Sequence, residues 1–227
     1  MSRTSTTKVL LFVGDWVEDY EAMIPTQGLQ MLGIQVDVVG PDKKRGQLVL
    51  SCIHDFERGH IDGATDLAFA NALGISAEKR HMQFQLPSER YGHAILITKD
   101  FDKVNIEDYD GIFCPGGRAP EFLQMDDQVI EWIQRHSKAG KPIGSICHGI
   151  QMLATAGVLR GKICTGHPCC KPQAVMSGAT WEPTNLMDTV VDGHIITAAE
   201  WTGTPGLLAA FAKAIGGSWT FSADKKL

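Results

Sequence analysis

Short apolar runs alternate with amphipathic stretches along most of the chain, which is the pattern of strands alternating with helices. Pro25 lies inside the first helical stretch, so a kink or a late helix start is expected there. Pro205 stands at the start of the last one, where proline is favoured. The apolar runs predict strands at 8–14, 34–39, 111–114, 142–146 and 194–199. Helical spacing of apolar residues predicts helices at 20–32, 126–139, 148–159 and 205–215.

This alternation of nearly all-apolar strands with helices predicts an α/β fold with a mostly parallel sheet that is covered on both faces. Residues 55–110 break the rhythm, because they are polar and mixed apart from short apolar patches. We expect a long excursion there, with a helix and a strand or hairpin of its own. The chain contains no linker, repeat or low-complexity tract, so residues 1–227 are interpreted as a single domain.

Composition narrows the function classes. The chain is 44% hydrophobic and 21% charged, as an ordinary globular protein with a full core is. Its net charge of -5 argues against nucleic acid or an anionic membrane as a partner. The apolar run 9–13 is too short for a signal peptide or a membrane span, so we expect a cytoplasmic protein with reduced cysteines. No matched pair of CxxC motifs occurs, and neither a metal nor a cofactor is expected.

The strongest candidate for chemistry is Cys147, which follows the strand at 142–146 directly and precedes a predicted helix. Gly144 and Gly149 bracket this turn and permit tight packing between strand and helix. The arrangement is close to a nucleophile elbow with cysteine in the nucleophile position. The amino end of the helix is expected to lower the pKa of the thiol, and Cys147 is expected to be the thiol most readily oxidised.

Two further stretches follow the ends of neighbouring strands. In Cys114-Pro115-Gly116-Gly117-Arg118, the two glycines leave backbone N–H groups bare, as an oxyanion hole requires. In the acidic stretch 15–21, a favourable interaction with the helix dipole explains Glu18 and Asp19. Glu21 would instead lie within the first helical turn, where a carboxyl group could share a proton with Cys147.

The other candidates have simpler explanations. His167 could be a pocket residue or a loop histidine, with equal support for each. Cys169 and Cys170 are interpreted as core or loop thiols, since free cysteines are commonly just buried. His136 lies on a helix with a polar pattern and is expected to be solvated.

Three motifs together resemble the ThiJ/PfpI superfamily, and most closely its plant-type glutathione-independent glyoxalase III and protein deglycase domains. They are VEDYEAMIP at 17–25, PGGRAPE at 115–121 and GSICHG at 144–149. The likeness spans residues 8–56 and 88–216, and it implies a flavodoxin-like three-layer α/β/α sandwich that forms homodimers or larger homo-oligomers. Residues 57–87 look like an insertion, and WTGTP at 201–205 stands where many relatives carry Gly-His-Pro.

The resemblance also implies roles for individual residues. Cys147 matches the nucleophile, with His148 beside it. Glu21 matches a protonated glutamate that hydrogen-bonds the thiol. The remaining matches are the oxyanion-binding or substrate-binding positions Gly116, Gly117, Arg118 and His167, together with the amide of His148.

The implied activity is conversion of a small carbonyl substrate, a 2-oxoaldehyde, to a 2-hydroxy acid through a hemithioacetal on Cys147. One alternative is a cysteine hydrolase, such as a peptidase, an amidase or an isonitrile hydratase. Another is a redox sensor or chaperone-like protein in which Cys147 is oxidised. Glutamine amidotransferases need a late His-x-Glu and α/β-hydrolases need a late His. The last histidine here is His194, followed by two isoleucines, which argues against both.

Overall fold

The computed structural model describes residues 6–55 and 88–217. The first five strands are β1 (Lys8–Phe12), β2 (Gln35–Val39), β3 (Leu48–Asp55), β4 (Ser88–Leu96) and β5 (Gly111–Cys114). The next five are β6 (Ile143–Ile146), β7 (Ile163–Cys164), β8 (Thr180–Trp181), β9 (Thr189–Asp192) and β10 (Ile195–Ala198). The helices are α1 (Asp19–Met31), α2 (Ala119–Leu123), α3 (Asp127–Lys138), α4 (Ile150–Thr155), α5 (Lys171–Met176) and α6 (Thr204–Ala214).

The central sheet has the strand order β2-β1-β5-β6-β10-β9. All neighbours pair in parallel except β9, which lies antiparallel to β10 at one edge. The parallel part has the order of a flavodoxin-like doubly wound sheet. The fold predicted from the alternating pattern is therefore confirmed, and each strand predicted from an apolar run is present in this sheet.

Helices cover both faces of the sheet, as two aromatic residues demonstrate. Leu11 pairs with Phe113 across β1 and β5, so Phe12, one residue further along, points to the opposite face from Phe113. Phe113 meets Phe211 of α6 edge-on, with ring centroids 5.6 Å apart. Phe12 stacks on Trp132 of α3, with centroids 6.3 Å apart. Thus α6 and α3 lie on opposite sides of the sheet, in a three-layer sandwich.

Two of the helix predictions need correction. α1 runs from Asp19 without a late start, although it contains Pro25. The helix expected at 148–159 is shorter, because a 3-10 turn (Cys147–Gly149) precedes α4 and the helix ends at Thr155. The prediction for α3 is confirmed, with the Asp126 side chain accepting a hydrogen bond from the N–H of Val129 at its start.

Outside the central sheet, β3 and β4 pair with each other and form a two-stranded antiparallel hairpin. The stretch 55–110 thus contains the expected strand, β4, but its partner β3 precedes the stretch. The insertion predicted at 57–87 lies outside the described residues. The hairpin is tied to α1 through Asp19, which accepts hydrogen bonds from the Ser51 hydroxyl and from the N–H of His93. None of the helices in the described part of the chain is long and apolar enough to cross a membrane.

Candidate active site

Cys147 lies at the carboxyl end of β6, in the strand-to-helix turn that the glycine pattern predicts. Its φ of 57° is in the left-handed region, which L-residues rarely adopt. The turn is tight because Gly149 packs directly against the backbone carbonyl of Cys114, where a side chain would collide. Strain of this kind is concentrated at functional sites, and it fixes the direction of the Cys147 side chain.

Glu21 reaches Cys147 from the first turn of α1. Its side chain is completely buried, and its Oε2 accepts a hydrogen bond of 2.8 Å from the N–H of Gly116. Oε1 is buried without a hydrogen-bond partner among the described residues. Burial, and then the charge of Glu18, raise the pKa of Glu21 well above that of an ordinary carboxyl. We conclude that Glu21 is protonated, with a proton available on the carboxyl next to the thiol.

Glu18 is a second buried carboxyl at this point. It caps α1, since its Oε2 accepts a hydrogen bond of 2.8 Å from the N–H of Glu21. This capping role agrees with the sequence interpretation, in which Glu18 interacts favourably with the dipole of the helix. Burial also raises the pKa of Glu18 to about 7, and its side chain lines the pocket that contains Cys147. The sequence did not single out this residue for the site.

The expected low pKa of the Cys147 thiol does not fit its surroundings. Burial, and then the negative charge of an ionised Glu21, raise this pKa well above the usual value. The N–H groups of His148 and Gly117 act in the opposite direction through hydrogen bonds to the sulfur, but by less. The helix that follows is only six residues long and begins three residues after Cys147, so its dipole gives little help. A protonated Glu21 removes the charge that opposes the thiolate.

The glycine turn at 115–118 contributes two different backbone groups. The N–H of Gly116 donates a hydrogen bond to Glu21. It is therefore not free to bind an oxyanion, which is the role expected for Gly116. The N–H of Gly117 faces the Cys147 sulfur and is placed to meet an oxyanion that forms there. Arg118 is held by two carboxylates, with Nε 2.6 Å from Glu121 and Nη1 3.0 Å from Glu89 of β4.

His148 and His167 lie side by side at the mouth of the site, with ring centroids 4.9 Å apart. The loop carrying His167 is anchored to the elbow by a hydrogen bond of 3.1 Å from its N–H to the carbonyl of Cys147. Cys169 completes this group, since its sulfur lies 3.0 Å from Nδ1 of His167 and 3.3 Å from Nε2 of His148. The sequence interpretation of Cys169 as a core or loop thiol missed this contact.

One cavity of about 440 Å³ contains these groups. It brings together all of the site residues predicted from the sequence except Gly116, which lies behind Glu21. Sequence analysis did not assign several other lining residues to the site, namely Glu18, His54, Glu89, Glu121, Cys169 and Glu200. Trp201 lines the cavity and stacks on Tyr20. The site can therefore combine a buried thiol, a protonated carboxyl and two imidazoles around a small molecule.

Comparison with known proteins places this arrangement in context. The model of the DJ-1/PfpI family matches residues 7–214. Protein DJ-1 homolog D of Arabidopsis thaliana is 38% identical over 215 residues, which are 94% of this chain and 49% of that protein. A deglycase of Pyrococcus horikoshii is 29% identical over 191 residues, covering 84% of this chain and 89% of the deglycase. The chain thus spans about half the length of the Arabidopsis relatives it matches.

Solved structures agree on the fold. Drosophila melanogaster DJ-1beta superimposes with a TM-score of 0.69 at 20% sequence identity, covering 94% of this chain and 92% of that one. A two-domain protein from Anabaena variabilis with a DJ-1/ThiJ/PfpI-like domain gives a TM-score of 0.67 at 24% identity. It covers 97% of this chain and 53% of the two-domain protein. These likenesses extend over nearly the whole chain.

Proposed function

The chain belongs to the DJ-1/PfpI family, and we propose that it is a cofactor-independent cysteine enzyme of the deglycase or glyoxalase type. In this proposal it converts 2-oxoaldehydes such as methylglyoxal to 2-hydroxy acids. The observation that carries the proposal is the pairing of the strained Cys147 with the buried carboxyl of Glu21. Similarity to deglycases of Pyrococcus horikoshii and Pyrococcus abyssi supports the same class of activity.

The first step is attack by the Cys147 sulfur on the aldehyde carbon of the substrate. A carbon–sulfur bond forms, and the carbonyl oxygen becomes an oxyanion. The N–H groups of Gly117 and His148 face the sulfur and stabilise this negative charge. Glu21 donates its proton to the oxyanion, which gives a neutral hemithioacetal, and the thiol proton passes to an imidazole of the site.

The second step moves a proton within the hemithioacetal. A base removes the proton from the former aldehyde carbon and the neighbouring carbonyl oxygen takes up a proton, which gives an enediol. The neighbouring carbon is then protonated and the hydroxyl on the former aldehyde carbon loses its proton, so the product is a thioester of a 2-hydroxy acid. The ionised Glu21 and His148 are the candidate bases, since both line the cavity beside Cys147. Water then attacks the thioester, which releases the hydroxy acid and restores the thiol. The sequence is redox-neutral and consumes one water molecule.

The charges around the cavity favour a substrate that is neutral where it reacts. Arg118 is the sole lysine or arginine among the described lining residues, and its guanidinium is already paired with Glu89 and Glu121. The carboxyl groups of Glu18 and Glu200 also face the cavity. An anionic substrate would meet these acids without a free cation to bind it, whereas a neutral 2-oxoaldehyde would not be repelled.

The test is to incubate the protein without glutathione with methylglyoxal, glyoxal and casein, and to assay hydroxy acid and released peptide. We expect hydroxy acid from the two aldehydes. The Cys147→Ser variant should fold, as judged by its melting temperature, and should lose roughly 10³-fold or more in rate, because a hydroxyl is a poor nucleophile without a strong base. Peptide release without hydroxy acid would favour the hydrolase, and equal rates for variant and wild type would exclude the covalent mechanism.

A further inference from the structure

Three metal-ligating side chains converge beside the candidate nucleophile. Nε2 of His148 and Nδ1 of His167 lie 3.3 Å and 3.0 Å from the Cys169 sulfur, and one ligand atom from each of the three residues lies within 4.8 Å of the others. We propose that His148, His167 and Cys169 bind a zinc ion. No pattern in the sequence pointed to this metal site, because its ligands do not form the spaced pairs that are typical of a zinc motif.

The distances suit a tetrahedral ion. With Zn–S of about 2.3 Å and Zn–N of about 2.1 Å, tetrahedral angles place a ligand nitrogen about 3.6 Å from the ligand sulfur. The two observed separations, 3.3 Å and 3.0 Å, are shorter than this, so side-chain rotations that widen the group would admit the ion. The imidazole rings of the two histidines lie with their centroids 4.9 Å apart and are inclined at 54° to one another.

The surroundings of the ligands also suit a cation. Cys169 is exposed, so an ion from solution can reach its sulfur. The surrounding cavity is rich in carboxyl groups, with Glu89, Glu121 and Glu200 in its wall. Zinc prefers a thiolate with neutral imidazoles, and nearby negative charge strengthens the attraction.

Backbone contacts hold the three ligands in place. His148 lies in the 3-10 turn Cys147–Gly149, and the N–H of His167 is bonded to the carbonyl of Cys147. The carbonyl of His167 accepts a hydrogen bond of 2.8 Å from the N–H of Cys170, which closes the turn around Cys169. A binding site whose ligands are already positioned loses less entropy when the ion binds.

The fourth coordination position would be open to the cavity, where water can occupy it. Nδ1 of His148 is buried with no acceptor in the part of the chain that is described, so this ligand lacks the outer hydrogen bond that usually supports a zinc-bound imidazole. We therefore expect reversible binding, weaker than that of a closed structural zinc site. Bound zinc would occupy Nε2 of His148, so this nitrogen could no longer act as a base, and zinc should therefore inhibit turnover. This consequence rests on the proposed function.

The experiment uses the full chain, freed of metal with a chelator and kept reduced with a phosphine. Cobalt(II) is titrated first, because a cobalt–thiolate bond gives a charge-transfer band and four-coordinate cobalt gives intense visible bands. Zinc is then titrated in competition with a chromophoric chelator to obtain stoichiometry and affinity. The variants are Cys169→Ser and His167→Gln, with Cys147→Ser as the matched cysteine control.

We expect one cobalt ion per chain, with the thiolate band present in wild type and in Cys147→Ser. Cys169→Ser should lose the band and bind zinc roughly 100-fold or more weakly, and His167→Gln should weaken zinc binding to a similar degree. Unchanged melting temperatures of the metal-free variants would show that they fold. The proposal is overturned if wild type shows no band at equimolar cobalt, or if Cys147→Ser loses the band while Cys169→Ser keeps it. A failure of the proposed activity would appear separately, as no hydroxy acid in metal-free buffer.

Discussion

The Gly116 N–H donates a hydrogen bond of 2.8 Å to Oε2 of Glu21, and this bond fixes one carboxyl oxygen behind the catalytic centre. Oε1 remains as the oxygen that can carry and release a proton, since it accepts no other bond from the described residues. In the proposed mechanism, this arrangement lets Glu21 act first as a proton donor and then, after it has donated, as a base. Both roles depend on the same buried carboxyl.

Glu21→Gln should separate hydrogen bonding from proton transfer. The amide oxygen can still accept from Gly116 and the amide nitrogen can still donate to the sulfur, but no proton can be transferred. Turnover should fall by roughly 10²-fold or more, the usual scale of general acid–base assistance. The Cys147 thiol should ionise near the pH at which it ionises in wild type, because the amide, like the protonated carboxyl of Glu21, carries no charge and can donate to the sulfur.

Rates, and thiolate absorbance against pH with Cys147→Ser subtracted, test this prediction. Glu21→Ala serves as the comparison, since it removes the hydrogen bonds as well as the proton. Full activity in Glu21→Gln would show that the residue only positions the thiol, and that an imidazole carries the proton.

Gly116→Ala should damage the site without altering any catalytic side chain. A Cβ at this position would lie 2.5 Å from Oε2 of Glu21, 2.7 Å from Cβ of Cys147 and 2.8 Å from the backbone nitrogen of His148. Since none of these atoms can move away freely, we expect a loss of about 1–3 kcal/mol in stability. We expect the rate to fall by roughly 10²-fold or more, because the substitution would displace the groups that react.

Gly28→Ala is the matched control. It lies in the interior of α1, and the nearest atom to its Cβ would be Cδ1 of Leu208, the mobile end of a side chain, at 3.3 Å. Alanine should stabilise this helix by about 0.5–1 kcal/mol and leave the rate unchanged. Thermal melts and initial rates of both variants test the pair. Equal rates for Gly116→Ala and Gly28→Ala would show that the contact at Gly116 is not needed.

Sequence pattern predicted the parts of the fold whose signal is local. The apolar runs of β1, β2, β5, β6 and β10 are buried on both faces, so each run is visible without knowledge of its neighbours. The edge strand β9 is short and half-exposed, and it depends on its antiparallel pairing with β10. The helices α2, α4 and α5 are five or six residues long, too short to show a helical period.

The site was predictable where the chemistry lies in one motif. The glycine-bracketed turn located Cys147, but its raised pKa could not be predicted, because it follows from burial beneath residues distant in the chain. The contact of Cys169 with His148 joins positions 21 residues apart through the folding of the loop at 165–170.

The burial of His136, in contrast, could have been predicted from the sequence. It is buried on the same face of α3 as Val129 and Ile133, at a helical spacing that was visible in the sequence.

His136 therefore makes stability depend on pH, contrary to the expectation of a solvated residue. Burial lowers its pKa in the folded state to about 4, from the ordinary value of 6.5. Between these two values the unfolded chain binds a proton that the folded chain does not, so the free energy of unfolding decreases as pH falls from 6.5 to 4. The shift corresponds to about 3 kcal/mol over this window. His136→Gln should lose less stability over that window than wild type, as measured by urea melts. Parallel pH profiles would contradict the assignment.

Peroxide reactivity should distinguish the two cysteines of the cavity, and the structure predicts the opposite order to the one expected from the sequence. Oxidation requires a thiolate that the oxidant can reach. Cys169 is exposed and its pKa is lowered, chiefly by a hydrogen bond from the Cys170 thiol and then by the two imidazoles. Cys147 is buried and its pKa is raised by that burial. Mild peroxide in metal-free buffer should therefore add oxygen to Cys169 before Cys147, as resolved by fragment-ion mass spectrometry of the peptides.

The Cys169→Ser variant provides the control, because it should lose the fast phase of peroxide consumption while Cys147 reacts at its own slower rate. Zinc should slow the fast phase in wild type if the proposed ligands hold the ion, since a metal-bound thiolate has little free electron density for attack on the peroxide. If the first added oxygen is found on Cys147 of the wild-type protein, the prediction is wrong. The strand-to-helix turn would then leave the Cys147 thiolate more accessible to peroxide than the burial of this residue indicates.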